Sequence, residues 1–208
     1  MTRIKICGVT RPEDARDAAL LGADAIGLNF HPASPRSVTA GHAVRIIEVL
    51  PLFVTSVGVF VDYPDPQALE DFAVSIGLDA VQLHGDESPD YCSMITRVKV
   101  LKALRVGEAF RVQDLARYRV SGFLLDAYSR EARGGTGRTF DWSRAAGANA
   151  FGHIVVAGGL DHTNVCAAIG QLHPFGVDVS SGVESAPGEK SYDLMQRFVE
   201  AVHRADGS

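Results

Sequence analysis

Arg3-Ile-Lys-Ile-Cys-Gly8 alternates with a period of two: Ile4 and Ile6 share one face of a strand, and Arg3, Lys5 and Cys7 share the other. The apolar face suits packing under helices, but a face with two cations and a thiol needs a polar interior or a site. Gly8 ends the strand where the backbone must turn or approach another group closely. Cys7 therefore sits at the carboxyl end of the first strand beside positive charge, where parallel α/β folds place their chemistry. Taken alone, a single cysteine reads more readily as a small buried hydrophobe. The rest of the chain reverses that preference.

Outward from this strand, strand-like and helix-like segments alternate with little between them. Thr10 is the expected N-cap of a helix opened by Arg11-Pro-Glu-Asp and running through Ala15–Leu21 to a stop at Gly22. Ala25–Phe30 reads as the second strand, and the Pro-rich loop His31–Ser37 leads to an amphipathic helix over Ala40–Leu50. Val54–Val61 is the third strand, with a helix opened by Pro64-Asp-Pro66 and ended at Gly77. Asp79–His84 and Val98–Leu104 follow as strands, the first with a short helix from Ser88 and the second with a helix within Glu108–Tyr118. Gly122–Asp126 is the sixth strand; after it come a glycine-rich loop and a helix near Trp142–Ala146. His153–Ala157, a helix from Asp161, the strand Val177–Ser180 and the helix Ser191–Arg204 complete the series. Turns of one type recur before strands, as in Gly22-Ala-Asp24, Gly77-Leu-Asp79 and Gly176-Val-Asp178. Eight such units predict a single-domain (β/α)8 TIM barrel over residues 1–208, with an open doubly wound sheet as the alternative.

Composition narrows the function classes. The 208 residues are 46% hydrophobic and 22% charged, an ordinary globular balance. A net charge of −5 with no Lys/Arg run argues against nucleic acid as the main partner, while leaving room for a local anion pocket. No apolar stretch approaches a membrane span, and the amino terminus has no signal-peptide pattern, so a cytoplasmic location is expected. The three cysteines are far apart and form neither a disulfide framework nor a metal-ligand spacing.

Closing the barrel would bring scattered polar residues to one mouth. With Val81 and Leu83 outward, Gln82 and His84 point in; Leu124 and Asp126, and Asp178 and Ser180, follow by the same alternation, and Asn29 falls similarly. Each could be a satisfied buried polar group, but their shared address favours a site. Three consecutive loops then offer backbone N–H groups and hydroxyls: Arg133-Gly-Gly-Thr-Gly-Arg138, Ala157-Gly-Gly159 and Ser180-Ser-Gly182. Such loops after strands six to eight of a barrel suit a phosphate.

Lys5-Ile-Cys-Gly8 with Thr10, Gly27-Leu-Asn-Phe30, Ser34-Pro-Arg36, Val57-Gly-Val-Phe60, Gln82-Leu-His-Gly-Asp86, Leu125-Asp126, Gly134-Gly-Thr-Gly137, Ala157-Gly-Gly-Leu160 and Val179-Ser-Ser-Gly-Val-Glu184 together resemble the motifs of the phosphoribosylanthranilate isomerase family. The resemblance runs in order through the whole chain, with no fused indole-glycerol-phosphate synthase domain. It implies an Amadori rearrangement in tryptophan biosynthesis, with Asp126 as general acid on the furanose ring oxygen and Cys7 as general base at C2. It further implies Arg36 as a clamp for the anthranilate carboxylate, contacts from Lys5, Gln82, His84 and Asp178, and a phosphate site at Gly134, Gly135, Gly158, Gly159, Ser180, Ser181 and Gly182. Neither cofactor nor metal is implied, and the assembly is a monomer or homodimer.

Chemically, Cys7 needs a lowered pKa to be a base, and Asp126 a raised one to be an acid near neutrality. Lys5 and Asp178 read equally as substrate contacts or as an interior ion pair. The other catalytic reading is a histidine-pathway isomerase, or a dual-specificity enzyme, but those barrels use a carboxylate base on strand one. A non-catalytic phosphoribosyl-ligand binder is the alternative of a different class, and retention of both Cys7 and Asp126 disfavours it.

Overall fold

A computed structural model describes residues 1–126 and 142–207. Eight parallel strands close into a barrel: β1 Arg3–Cys7, β2 Ala25–Asn29, β3 Thr55–Phe60, β4 Ala80–Leu83, β5 Lys99–Arg105, β6 Gly122–Asp126, β7 Ile154–Ala157 and β8 Gly176–Val179. Closure is made by β8 pairing with β1, which sets Ile4 beside Val177 and Lys5 beside Asp178. The open doubly wound alternative is thereby excluded.

The two-residue period sorts the side chains into two apolar layers. Ile4, Ile6, Ile26, Leu28, Val81, Leu83, Phe123, Leu125, Val177 and Val179 belong to the large core between barrel and helices. Inside the barrel a second, small cluster joins Ala103, Leu124 and Ala157, with Leu101 and Val155 against it. Lys5, Gln82 and Asp178 are buried among the inward positions. The barrel interior thus carries its buried polar side chains on β1, β4 and β8 and its apolar filling on β5, β6 and β7.

Helices α1 Pro12–Leu21, α2 Ala40–Ile47, α3 Pro66–Ser75, α4 Pro89–Ser93, α5 Val165–Leu172 and α6 Tyr192–Ala205 lie between the strands and at the end of the chain. Several boundaries differ from the sequence expectation. Thr10 is not the cap of α1: Arg11 takes that position in extended conformation, and Thr10 Oγ1 donates instead to the Gly188 carbonyl at 2.6 Å. The segments expected as helices near 108–118 and 142–146 are 3-10 turns, Val112–Arg117 and Trp142–Ala145. The first of these buries only Leu115, and one apolar anchor is not the stripe that seats an α-helix. Before α5, Asp161 Oδ1 accepts from Thr163 N and Asn164 Oδ1 accepts from Asp161 N, a local turn that delays the helix to Val165.

One element was not anticipated. After β8 a small antiparallel hairpin, β9 Glu184–Ala186 with β10 Glu189–Lys190, turns at Gly188 with φ of 86° and pairs Lys190 with Glu184. Among the described residues, no helix is long and apolar enough to cross a membrane.

Candidate active site

Cys7 and Asp126 both end parallel strands of one closed barrel and so open onto the same mouth, with β7 and β8 between them on one side. Beneath Cys7, Lys5 Nζ donates to Asp178 Oδ1 at 2.7 Å in an ion pair that is nearly sealed from solvent. Burial by itself would lower the Lys5 pKa, but Asp178 and the Cys7 thiol outweigh it, and Lys5 is pushed up to about 12. Lys5 is therefore a permanent cation at the thiol. Gly27 on the neighbouring strand makes the space they share: a Cβ there would lie 2.7 Å from Cys7 Sγ and 3.0 Å from Lys5 Nζ.

Burial is the largest influence on Cys7 and pushes the thiol up; Lys5 and Lys190 pull it down, and Asp178 adds to the rise. The expected fall in the Cys7 pKa is thus corrected to a rise, because a thiolate loses more from leaving water than these cations return. The ion so formed is scarcer but a stronger base, and these two effects partly offset in proton abstraction.

Across the mouth, His84 Nε2 lies 3.1 Å from Asp126 Oδ2, and Gln82 Nε2 lies 2.8 Å from His84 Nδ1. With the Gln82 amide donating to Nδ1, the neutral imidazole carries its proton on Nε2 and donates to the carboxylate. Gln82 is buried, and its Oε1 has no hydrogen-bond partner among the described residues. Gln82 and His84, expected as substrate contacts, form a chain that ends on the acid candidate.

Arg36 is not the solvated loop arginine that composition alone allows. Asn29 Oδ1 accepts from His31 N, the Asn29 carbonyl accepts from Val38 N, and Ser34 Oγ accepts from Arg36 N, which together shape the loop after β2. Arg36 Nε and Nη2 then grip Glu184 Oε1 and Oε2 at 2.7 and 2.6 Å. One bidentate edge of the guanidinium is used and the Nη1 edge remains for a second planar anion. Burial opposes ionisation of Glu184, but Arg36 and Lys190 hold its carboxyl below the usual range. Gly8, at φ of 73°, passes directly under this arginine: a Cβ there would lie 2.4 Å from Arg36 Cδ and 3.1 Å from Ser180 Oγ.

The loops after β7 and β8 abut. A Cβ on Gly182 would stand 2.0 Å from the Leu160 carbonyl oxygen, so these chains touch backbone to backbone. Gly158 and Gly159 hold consecutive positive φ angles of 95° and 67°. Ser180, Ser181 and Gly182 follow β8 directly, opposite them. Gly134 and Gly135 lie outside the described residues.

Glu184 and Lys190 escaped the reading of site residues from sequence. Lys190 is buried, and its Nζ donates to the Cys7 carbonyl at 2.6 Å, the Ser180 carbonyl at 3.1 Å and Glu184 Oε1 at 2.8 Å. No local pattern marks a lysine eleven residues beyond a strand as its support; the signal available was the Pro187-Gly188 turn that folds the hairpin back.

Comparison with known proteins is consistent along the whole chain. A family model described as N-(5'phosphoribosyl)anthranilate (PRA) isomerase matches residues 4–201. The N-(5'-phosphoribosyl)anthranilate isomerase of Pelobacter propionicus is 51% identical over 199 residues, covering 96% of this chain and 94% of that protein. The crystal structure of phosphoribosyl anthranilate isomerase from Thermotoga maritima, a protein described elsewhere as dimeric, superimposes with a TM-score of 0.87 at 40% identity, covering both chains fully. A crystal structure of the isomerase in complex with reduced 1-(o-carboxyphenylamino)-1-deoxyribulose 5-phosphate has a TM-score of 0.84 at 38% identity, again covering both chains fully.

Proposed function

The chain belongs to the N-(5'-phosphoribosyl)anthranilate isomerase family, and we propose that Cys7 and Asp126 are the proton-transfer groups of its reaction. The enzyme converts N-(5'-phosphoribosyl)anthranilate to 1-(2-carboxyphenylamino)-1-deoxyribulose 5-phosphate in tryptophan biosynthesis. The rearrangement needs a proton put on the ring oxygen and another taken from carbon, so one acid and one base suffice.

Asp126 gives its proton to the furanose oxygen as the C1–O bond breaks, and the anthranilate nitrogen lone pair completes a protonated Schiff base. The Cys7 thiolate then takes the C2 proton, and the electron pair of that C–H bond neutralises the nitrogen to leave an enolamine. Tautomerisation gives the ketone, and a proton returns from Cys7 to Asp126 through solvent before the next turnover. Lys5, held cationic by Asp178, offsets the charge that appears on sulfur.

His84 aligns Asp126. When the carboxyl is protonated, the Gln82 amide turned by 180° would accept from Nδ1–H through its otherwise unpartnered Oε1, leaving His84 Nε2 to accept from Asp126. Arg36 receives the anthranilate carboxylate on the edge that Glu184 leaves open. Gly158, Gly159, Ser180, Ser181 and Gly182 hold the phosphate largely through backbone N–H groups.

The observation that carries this reading is the placement of Cys7 above the Lys5–Asp178 pair at the same mouth as Asp126 on His84. Its test is to separate binding from turnover: variants at Cys7 and Asp126 should bind the reduced product analogue and fail to convert substrate. The free thiols at Cys7, Cys92 and Cys166 suit a reducing cytoplasm, and the net charge of −5 suits a protein without a nucleic-acid partner. Self-association as a homodimer is supported by the dimeric relative and by Leu52 and Phe53, which are 89% and 91% exposed in one loop.

A further inference from the structure

We propose that Lys190 is a positioning residue of the isomerisation, tying the base Cys7 and the carboxylate clamp Arg36 into one unit through the hairpin after β8. The inference rests on those two assigned roles and adds a residue to which they assign nothing.

The ammonium of Lys190 has three protons and three acceptors: the carbonyl of Cys7, the carbonyl of Ser180 and Glu184 Oε1. Its side chain is wholly buried, so the donor set is filled and its orientation is single-valued. Each acceptor belongs to a different part of the site. The first is the backbone of the base, the second opens the phosphate-side loop, and the third is the carboxylate that holds Arg36. A hairpin that needed only an anchor would be served as well by an apolar side chain, without the desolvation of an ammonium.

The charges around Cys7 explain what the ammonium adds. Lys5 comes from β1, Asp178 from β8, Arg36 from the loop after β2, and Glu184 and Lys190 from the hairpin. From α1, Asp14 accepts from Lys190 N and is paired with Arg11, while Glu189 on the hairpin is largely exposed. Setting aside the Arg11–Asp14 pair and the solvated Glu189, the buried cations Lys5 and Lys190 and the half-buried Arg36 outnumber the carboxylates Asp178 and Glu184 by one. A surplus of positive charge at a largely buried site favours an anion. The reaction brings two to this place, the Cys7 thiolate and the anthranilate carboxylate.

The test uses Lys190→Met and Glu184→Gln in the full-length enzyme, with kcat, KM and the pH dependence of Cys7 alkylation by iodoacetamide, read at that cysteine by peptide mass analysis. Lys190→Met removes a cation, so the alkylation midpoint should rise by about one pH unit, and kcat should fall about tenfold or more as Cys7 loses its support. Glu184→Gln removes an anion, so the midpoint should shift the other way, and KM should rise because Arg36 loses its partner. A strut with no electrostatic part would lower thermal stability and leave both midpoints in place. Midpoints that do not move, or that move in the same direction, overturn the proposal. If Lys190→Met does not fold, the downward shift in Glu184→Gln decides the matter alone. A Cys7→Ser enzyme that keeps its turnover would instead remove the assigned base, and that outcome is independent of how the midpoints move.

Discussion

His84 Nε2 lies 3.1 Å from Asp126 Oδ2 and is itself held from behind by Gln82. A carboxyl on a strand end has a free torsion; this contact removes it and points one oxygen. A substrate-binding histidine and an acid-orienting histidine make different kinetic predictions. His84→Ala should lower kcat by about tenfold or more while KM changes little, because the lost interaction acts on the transition state through Asp126. A raised KM at unchanged kcat would return His84 to a substrate-binding role.

Gly27 leaves no room for a side chain between Cys7 and Lys5. A Cβ there meets Cys7 Sγ at 2.7 Å, Cys7 Cα at 3.0 Å and Lys5 Nζ at 3.0 Å, and the fully enclosed strand pair gives little room to yield. Gly27→Ala should therefore destabilise the protein by ~1–3 kcal/mol and reduce turnover. Gly41→Ala is the internal control: its Cβ meets nothing within 4 Å and it lies in α2, so it should stabilise by ~0.5–1 kcal/mol. Thermal melts and initial rates on the two variants compare these directly.

On the phosphate side, a Cβ at Gly159 meets no atom within 4 Å, but its φ of 67° is unfavourable for other residues. Gly159→Val should cost ~1–2 kcal/mol of stability for the left-handed backbone. It should also raise KM about tenfold and weaken inhibition by inorganic phosphate, with kcat within a few-fold. Unchanged phosphate inhibition would place the anion elsewhere.

The pH dependence follows from the direction of the Cys7 shift. Burial raises the thiol pKa, and only the thiolate is a base, so the ionised fraction of Cys7 grows as pH rises. Alkylation of Cys7 by iodoacetamide, which reads the thiolate alone and not the proton on Asp126, should accelerate with pH toward and beyond the ordinary thiol range of about 8.5. An alkylation rate that is flat from pH 6 to about 9 would mean that the thiol is ionised well below that range and that its pKa is not raised.

Much of the barrel was legible because its signals are local. Alternation in Ile4–Cys7, Val81–His84 and Val177–Ser180 places each side chain in or out without reference to any other strand. The Asp126 end of β6 was legible to the residue. Helix starts were less so, since Asp161, Thr163 and Asn164 bond one another before α5 begins, and side-chain turns compete with capping over the same few residues. Arg36 was recognisable as a site residue, but its partner Glu184 lies 148 positions away, and no sequence period connects them. The sign of the Cys7 shift was likewise not legible: neighbouring cations can be read from sequence, but the extent of burial is a property of the closed barrel.

The most direct test compares Cys7→Ser and Asp126→Asn for turnover of freshly generated N-(5'-phosphoribosyl)anthranilate and for equilibrium binding of the reduced product analogue. Each variant keeps the shape of the side chain and leaves Arg36 and the phosphate loops untouched. The account predicts a loss of turnover of roughly 100-fold or more in each, with analogue affinity retained within about tenfold, or ~1.4 kcal/mol. Near-normal turnover in Cys7→Ser would contradict the assignment of Cys7 as the base.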